Sequence, residues 1–218
     1  MSQDMQLELV RLRRALLTMS ASTEARVTEA FQALVNRDYA AADRVRTGDD
    51  EIDKMEVDIE SACLRILALY QPMASDLRFV LAAMRINTAF ERMADLARSV
   101  AKRSMKITEQ PPFDTPDALR EMTESTRKMV ADTMLALSQQ DIELARAVRR
   151  SDRLIDAKNR ELYVWVIREI PTHVDRVQPI IDMLLAARTI ERIGDTASQI
   201  AEDVMFMIGG AIVRHTPA

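Results

Sequence analysis

The stretch Glu191-Arg192-Ile193-Gly194-Asp195 reveals how this chain is organised, because Glu91-Arg92-Met93-Ala94-Asp95 repeats its pattern 100 residues earlier. We call the earlier stretch motif one and the later stretch motif two. In each, a glutamate precedes an aspartate by four residues. On a helix the two carboxylates therefore lie on one face, about one turn apart. Ionised carboxylates repel each other, so each pair must face water or lie near positive charge.

Further matches indicate that most of the chain, and not only the motif, is duplicated. At an offset of 103 residues the matching pairs are Asp38/Asp141, Ala42/Ala145, Val45/Val148, Asp49/Asp152, Ile52/Ile155 and Asp53/Asp156. Three prolines (Pro111, Pro112 and Pro116) mark a linker, after which the helical pattern restarts. We therefore predict two tandem three-helix bundles, one in residues 1–108 and one in residues 109–218.

The composition predicts an all-α fold. The 218 residues include only four glycines and seven prolines, and between them run stretches rich in good helix formers. No short segments alternate β-branched or aromatic residues with polar ones, as strands would. We predict six helices, with kinks or turns at residues 36–38 and 139–141 and a break near residues 150–152.

Charge and cysteine content limit the class of protein. With 30 basic and 34 acidic residues, and no basic stripe with interleaved aromatics, the sequence predicts no nucleic-acid partner. The single cysteine, Cys63, excludes an internal disulfide and fits a reducing compartment. The first ten residues lack a signal-type apolar core, and the longest apolar stretch, residues 204–213, is too short to span a bilayer. We predict a cytoplasmic protein without direct membrane insertion.

A helical wheel places both motifs outside the bundle core. With Phe90 at zero, the apolar side chains of its helix cluster within about 60°, whereas Glu91 lies at about 100° and Asp95 at about 140°. Glu191 and Asp195 take the same two angles on the last helix. Both pairs therefore occupy a flank that is turned away from the core.

An acidic ladder on the second helix accompanies motif one. It consists of Asp49, Asp53, Glu56 and Glu60, and the matching positions in the second copy are Asp152, Asp156, Asn159 and Tyr163. The ladder is therefore weaker in the second copy. If the second and third helices are neighbours, Asp53 can approach Glu91 and Asp95.

These carboxylates allow two interpretations. A solvated helix surface is the usual explanation of an isolated pair, and it also suits the ladder. Repetition in two halves favours a surface metal site, because clustered carboxylates suit hard or borderline cations and a bound cation removes their repulsion. We interpret His173 and His215 as surface residues and Cys63 as a core residue.

These residues resemble the PhoU family. Motif two matches that family's Glu-Arg-Ile-Gly-Asp form fully, while motif one has Met93 and Ala94 at the variable positions. The corner Gln71-Pro72-Met73-Ala74-Ser75-Asp76-Leu77-Arg78 is similar to the family's Gln-Pro-x-Ala-x-Asp-Leu-Arg signature. The family's Asp-x-x-Ile-Asp motif occurs at residues 49–53 and 152–156. The resemblance implies a two-fold repeat of three-helix bundles.

The resemblance also implies a function. PhoU-like proteins are cytoplasmic and often dimeric, and they repress the phosphate-starvation regulon when phosphate is plentiful. They are thought to contact the ATPase subunits of a phosphate ABC transporter and a membrane sensor histidine kinase. By resemblance we expect a regulator that forms a homodimer, binds these two partners and is not an enzyme.

Some PhoU-like proteins bind multinuclear metal clusters at these motifs. The resemblance therefore implies metal binding by Glu91, Asp95, Glu191 and Asp195, with Asp53 and Asp156 as weaker candidates. The cation could be iron, zinc, manganese or magnesium. Gln199 and Ser99 stand where the family often has Asn, so the resemblance does not fix the metal or its geometry.

Two other functions compete with this one. A carboxylate-bridged, ferritin-like metalloenzyme would use inward-facing glutamates and Glu-x-x-His motifs. No glutamate here has a histidine three residues later, and the wheel turns Glu91 and Glu191 outward. A metal-free helical scaffold is the second alternative. The sequence contains no Walker-type phosphate-binding loop, so the chain is not itself an ATPase.

Overall fold

The computed structural model describes residues 3–48, 50–111 and 113–210, and its regular elements there are all helices. They are α1 (Gln3–Asn36), α2 (Tyr39–Thr47), α3 (Asp50–Tyr70), α4 (Ala74–Thr108), α5 (Asp117–Gln139), α6 (Ile142–Glu169) and α7 (Val177–Gly209), with a 3-10 turn at Val174–Arg176. The short α2 follows α1 after a turn, so each half contains three long helices. The all-α prediction is confirmed. Asp49, Pro112 and His215 lie outside the described residues.

Two aspartates that match across the repeats cap equivalent helices. Asp38 accepts a hydrogen bond from the backbone N of Ala41 at 3.0 Å, at the start of α2. Asp141 accepts hydrogen bonds from the backbone N of Glu143 and of Leu144, at 2.9 and 3.0 Å, at the start of α6. These carboxylates satisfy amides that the first turn of a helix leaves unbonded. The repeat is therefore visible in local structure as well as in sequence.

The break predicted near residues 150–152 is wrong, because α6 runs without interruption from Ile142 to Glu169. In the first repeat the equivalent chain is split into α2 and α3 at Gly48, and glycine is a weak helix former. Ser151 occupies the matching position in α6. Its Oγ donates to the carbonyl oxygen of Val148 at 2.7 Å, so the hydroxyl is satisfied inside the helix.

The helices that carry the two motifs form the centre of the molecule. α4 packs against α1, α2, α3 and α7, and α7 packs against α5 and α6 as well. The predicted apolar stripes of both helices are buried: Phe79, Ala83, Ile86, Phe90, Met93 and Ala97 on α4, and Met183, Ala186, Ile190, Ile193, Ala197 and Val204 on α7. Cys63 of α3 is buried too, and loss of hydration raises the pKa of its thiol to about 12. It is a packing residue, as predicted.

Two ion pairs show that α4 and α7 are antiparallel. Arg85 Nη1 lies 3.5 Å from Asp203 Oδ1, and Arg103 Nη1 lies 2.7 Å from Asp182 Oδ1. Both aspartate side chains are buried, whereas both arginines reach the surface. The midpoint between the pairs falls near residue 94 on α4 and residues 192–193 on α7. Motif one and motif two therefore cross at the same level of the contact between the repeats.

The linker is fastened to the first repeat by Arg37. Its Nη2 donates to the carbonyl oxygens of Ile107 and Gln110, each at 2.7 Å. Its guanidinium carbon also lies 5.1 Å from the ring centroid of Phe113. Desolvation lowers the pKa of Arg37. The turn after α1 and the end of α4 are consequently held together where the second repeat begins.

Candidate functional site

Each motif lies on the flank of a central helix, beside the middle helix of its own repeat. Motif one on α4 neighbours α3, and motif two on α7 neighbours α6. None of the six predicted residues is buried: Asp53 and Asp195 are exposed, and Glu91, Asp95, Asp156 and Glu191 are half-buried. Their neighbours Met93 and Ile193 are fully buried. The placement outside the core agrees with the helical wheel and differs from the inward-facing glutamates of a ferritin-like enzyme.

Four carboxylates gather in the second repeat, and we call them the second-repeat cluster: Asp152, Asp156, Glu191 and Asp195. Asp152 shows their proximity most clearly. Burial, followed by the negative charges of Asp195, Asp156 and Glu191, raises the pKa of Asp152 to about 6. A carboxylate among like charges holds its proton more tightly, because ionisation adds to their repulsion. The cluster therefore favours binding of a proton or another positive species.

The charges around motif two partly offset this repulsion. Partial burial raises the pKa of Glu191, helped by Asp195 and Asp156, while Arg188 and Arg160 oppose the shift. Asp195 is open to solvent on one side, but neighbouring atoms exclude part of its hydration and raise its pKa, as does the charge of Asp156. Arg192 and Arg92 act in the opposite direction on Asp195. Because Arg92 belongs to motif one, the first repeat contributes directly to the electrostatics of the second.

Two small structural features hold α6 against motif two. Asn159 Nδ2 of α6 donates a hydrogen bond to Glu191 Oε2 at 2.7 Å. One turn later on α7, a Cβ atom placed on Gly194 would lie 2.9 Å from Ile155 Cδ1 and 3.8 Å from Asp152 Oδ1. Real Cβ atoms essentially never lie as close as 2.9 Å to another heavy atom of this kind. Gly194 therefore allows α6 to approach closely enough to bring Asp152 to the cluster.

The first repeat arranges its motif differently. Arg98 Nη2 donates to Asp95 Oδ1 at 2.9 Å, so a positive side chain from the same helix partly neutralises this aspartate. Position 198 in the second repeat is a serine, which supplies no such charge. Asn87 on α4 donates a hydrogen bond from Nδ2 to the carbonyl oxygen of Glu56 on α3, at 2.9 Å. In this antiparallel register Asp53 is level with Phe90, beside motif one.

The carboxylates suit a hard cation chemically, but their positions do not form a ligand set. Within the described ranges, no group of three or more His, Cys, Asp or Glu side chains is arranged to hold a metal ion. Metal binding by the six predicted residues therefore stays a prediction. Any cation at the second-repeat cluster would need these side chains to move closer together.

Sequence reasoning missed two contributions to this region. Asp152 was recognised only as part of a ladder and of the Asp-x-x-Ile-Asp motif, although that motif placed it one turn before Asp156. The buried partners Asp182 and Asp203 were missed as well. Their burial has no local sequence signal, since the wheel places Asp182 about 80° and Asp203 about 140° from Ile190, outside the apolar stripe of α7.

A separate cleft of about 760 Å³ lies between the linker and the end of α6. Its lining includes Arg120, Trp165 and His173 and none of the six predicted residues. The side chain of His173 is 42% exposed, and its Nδ1 lies 3.0 Å from Glu169 Oε2. This location fits the interpretation of His173 as a surface residue and not a metal ligand.

Both halves of the chain match one family model. The PhoU domain matches residues 16–104 and again residues 119–204, so one match lies in each predicted bundle. A protein of Xylella fastidiosa (strain 9a5c), described as a phosphate-specific transport system accessory protein PhoU homolog, is 36% identical over 203 residues. The alignment covers 93% of this chain and 86% of that protein.

Solved structures show the same architecture. PhoU from Pseudomonas aeruginosa has a TM-score of 0.89 and 32% sequence identity, covering 94% of this chain and 99% of that one. The phosphate transport system regulatory protein PhoU from Streptococcus pneumoniae has a TM-score of 0.84 and 26% identity, covering 96% and 99% respectively. The tandem arrangement of three-helix bundles is therefore shared with both.

Proposed function

This chain belongs to the PhoU family, and on that basis we propose that it regulates inorganic phosphate uptake and signalling. It would repress the phosphate-starvation regulon through the ATPase subunit of a phosphate ABC transporter and a phosphate-sensing histidine kinase. The names of its relatives support a part in phosphate transport, since they are called accessory or regulatory proteins. Those names also support a binding role in preference to catalysis.

The crossing of the two motifs at the contact between the repeats supports a regulatory role. Arg92 of motif one lies close enough to alter the pKa of Asp195 in motif two. Ion pairs between a buried aspartate and a partly exposed arginine lie on either side of the crossing. A partner or cation that binds one motif therefore acts on the same contact as one that binds the other. This arrangement suits a protein that reports binding from one surface to another.

The regulatory role is tested by deleting the gene in its host and measuring phosphatase expression in high-phosphate medium. We expect expression to rise, and the wild-type gene to restore repression. We expect Glu191→Gln with Asp195→Asn to restore it poorly. The matched control is Glu51→Gln with Asp58→Asn, which neutralises two exposed carboxylates of α3 outside both motifs. Unchanged expression after deletion would exclude the proposed role.

We further propose that the second-repeat cluster takes up a divalent cation, such as iron, zinc, manganese or magnesium. The like-charge repulsion that raises the pKa of Asp152 supports this, because a cation would relieve it. Asp53, Glu91 and Asp95 form the weaker candidate site, since Arg98 already neutralises part of it. Elemental analysis of protein purified without chelator tests the proposal. Metal content that is equal in wild type and in Glu191→Gln with Asp195→Asn would refute it.

Finally, we propose that the protein is a cytoplasmic homodimer, as the family resemblance implies. Sedimentation equilibrium at several protein concentrations measures its mass directly. Fractionation of host cells, followed by immunodetection, tests the location. A mass of one chain at all concentrations would contradict the dimer, and recovery outside the cytoplasm would contradict the location.

A further inference from the structure

A line of arginines follows the outer face of α6, opposite the side that packs into the core. The buried side is formed by Ile155, Leu162 and Val166. The outer line, which we call the arginine ridge, consists of Arg146, Arg150, Arg153, Arg160 and Arg168, all exposed. At 1.5 Å per residue the ridge extends over about 33 Å of continuous helix. It is therefore a long basic surface on a protein whose net charge is −4.

Much of this positive charge is not neutralised by the protein. Arg146 is paired with Glu143 of the same helix. Within the part of the chain that the structure describes, Arg150, Arg160 and Arg168 form no ion pair with a carboxylate. The charge of Arg160 does reach Glu191, where it offsets part of the rise in that carboxyl's pKa. At least three guanidinium groups are thus available to an external anionic surface.

Exposed apolar side chains lie among the arginines. Tyr163, Val164 and Ile167 are 51%, 54% and 56% exposed, all between Arg160 and Arg168. A shallow groove of about 430 Å³ runs beside Val164 and the two arginines. The combination of basic and apolar side chains on one helical face is typical of helices that lie in a membrane interface.

The ridge is a property of the second repeat and not of the three-helix fold. The equivalent residues of the first repeat are Asp43, Thr47, Asp50, Val57 and Arg65. Arg65 is the only arginine among them, and its Nη2 is bound to Glu8 Oε2 at 2.9 Å. The first repeat folds without a basic outer face, so folding alone does not require the ridge.

We propose that the arginine ridge docks this protein on an anionic phospholipid membrane, with α6 lying in the plane of the surface. Arginine forms forked hydrogen bonds to phosphate oxygens, which lipid headgroups present in a two-dimensional array. Val164 and Ile167 enter the boundary between headgroups and acyl chains. None of the described helices is long and apolar enough to cross a membrane, so the contact is peripheral. The apolar side chains favour a lipid surface over a nucleic acid, which would offer them no apolar layer.

The test compares flotation of the full chain with two kinds of vesicle, phosphatidylcholine alone and phosphatidylcholine mixed with phosphatidylglycerol. We expect binding only to the anionic vesicles, and weaker binding at higher salt. Each arginine at such a surface contributes about a fivefold change in affinity. Reversing three of them (Arg150→Glu, Arg160→Glu and Arg168→Glu) should therefore weaken binding more than about a hundredfold.

The matched control carries Lys54→Glu, Lys102→Glu and Lys106→Glu, which changes the net charge equally at exposed positions away from α6. This control should bind the anionic vesicles at least tenfold more tightly than the ridge variant. Val164→Ser with Ile167→Ser tests the apolar contribution without altering charge, and should weaken binding as well. Circular dichroism verifies that each variant is folded. Equal binding by the ridge variant and the lysine control, or binding of wild type to DNA but not to anionic vesicles, would overturn the proposal.

Discussion

Asn159 of α6 donates a hydrogen bond of 2.7 Å from Nδ2 to Oε2 of Glu191 on α7. The bond joins the middle helix of the second repeat to motif two. It gives a neutral donor to a carboxylate that also experiences the negative charges of Asp195 and Asp156 and the positive charges of Arg188 and Arg160. The amide therefore stabilises the ionised carboxylate without adding charge. The first repeat uses a charged group for the same purpose, since Arg98 binds Asp95.

Removing that donor should destabilise the protein. We expect Asn159→Ala to lower the free energy of unfolding by about 1 kcal/mol, because a half-buried carboxylate loses its hydrogen bond. Asn159→Asp should cost more, since it adds another negative charge. Urea denaturation at pH 7 measures both. Gln32→Ala, at an exposed position of α1, controls for helix propensity, and an equal loss in this control would contradict the expectation.

Stability should depend on pH through Asp152. Its pKa is raised to about 6, so the folded state holds this proton more tightly than the unfolded state does. The stability that Asp152 contributes is therefore lost as pH rises from about 4 through about 6. In protein treated with a chelator to remove metal, at pH 7, Asp152→Asn should raise the free energy of unfolding by about 1 kcal/mol, allowing for solvent screening. The gain should vanish near pH 4, and a gain independent of pH would show that repulsion is not its cause.

The close approach at Gly194 can be tested by a double-mutant cycle. Alanine is favoured over glycine in a helix by about 1 kcal/mol, but its Cβ would lie 2.9 Å from Ile155 Cδ1. We expect Gly194→Ala to give little or no net stabilisation in the wild-type background. In an Ile155→Val background, which lacks Cδ1, Gly194→Ala should raise the free energy of unfolding by about 1 kcal/mol. Denaturation of the four proteins measures the coupling, and equal effects in both backgrounds would mean that the contact is unimportant.

The ion pair between Arg103 and Asp182 should hold the repeats together. Arg103→Ala leaves the buried Asp182 carboxylate without its cation, which should cost about 2–3 kcal/mol. Replacing both residues with leucine should recover much of that loss, since no buried charge remains. The exposed pair Arg127–Glu124 is the control, and Arg127→Ala should cost less than about 0.5 kcal/mol. The interpretation fails if the two alanine variants are equally stable in guanidinium denaturation.

The contrast between Arg98 and Ser198 predicts different cation affinities in the two repeats. Ser198→Arg places a guanidinium three residues after Asp195, which is the spacing of Arg98 and Asp95 in the first repeat. This substitution should weaken Mn²⁺ binding about fivefold. Arg98→Ser should strengthen binding in the first repeat. Isothermal titration with Mn²⁺ measures both. Ser138→Arg on α5 adds the same charge at an exposed position, so an equal effect there would point to net charge alone.

The helices, the duplication and the flank that each motif occupies can all be predicted from the sequence. These properties follow from periodicity within single helices, and a helical wheel captures them because neighbours at three and four residues share a face. Local signals were less reliable where tertiary packing competes with them. Residues 150–152 resemble a break, yet α6 continues through Ser151, whose hydroxyl donates to the carbonyl oxygen of Val148 inside the helix.

The way in which the helices combine becomes apparent only in the folded chain. The rotation and register of α6 on α7 bring Asp152 to motif two, and Gly194 permits that approach. The antiparallel contact of α4 with α7 buries Asp182 and Asp203 and brings Arg92 to Asp195. These pairs are separated by tens of residues to more than a hundred, so no local pattern encodes them. Their energies depend on distance and burial, which are fixed only when the two repeats pack.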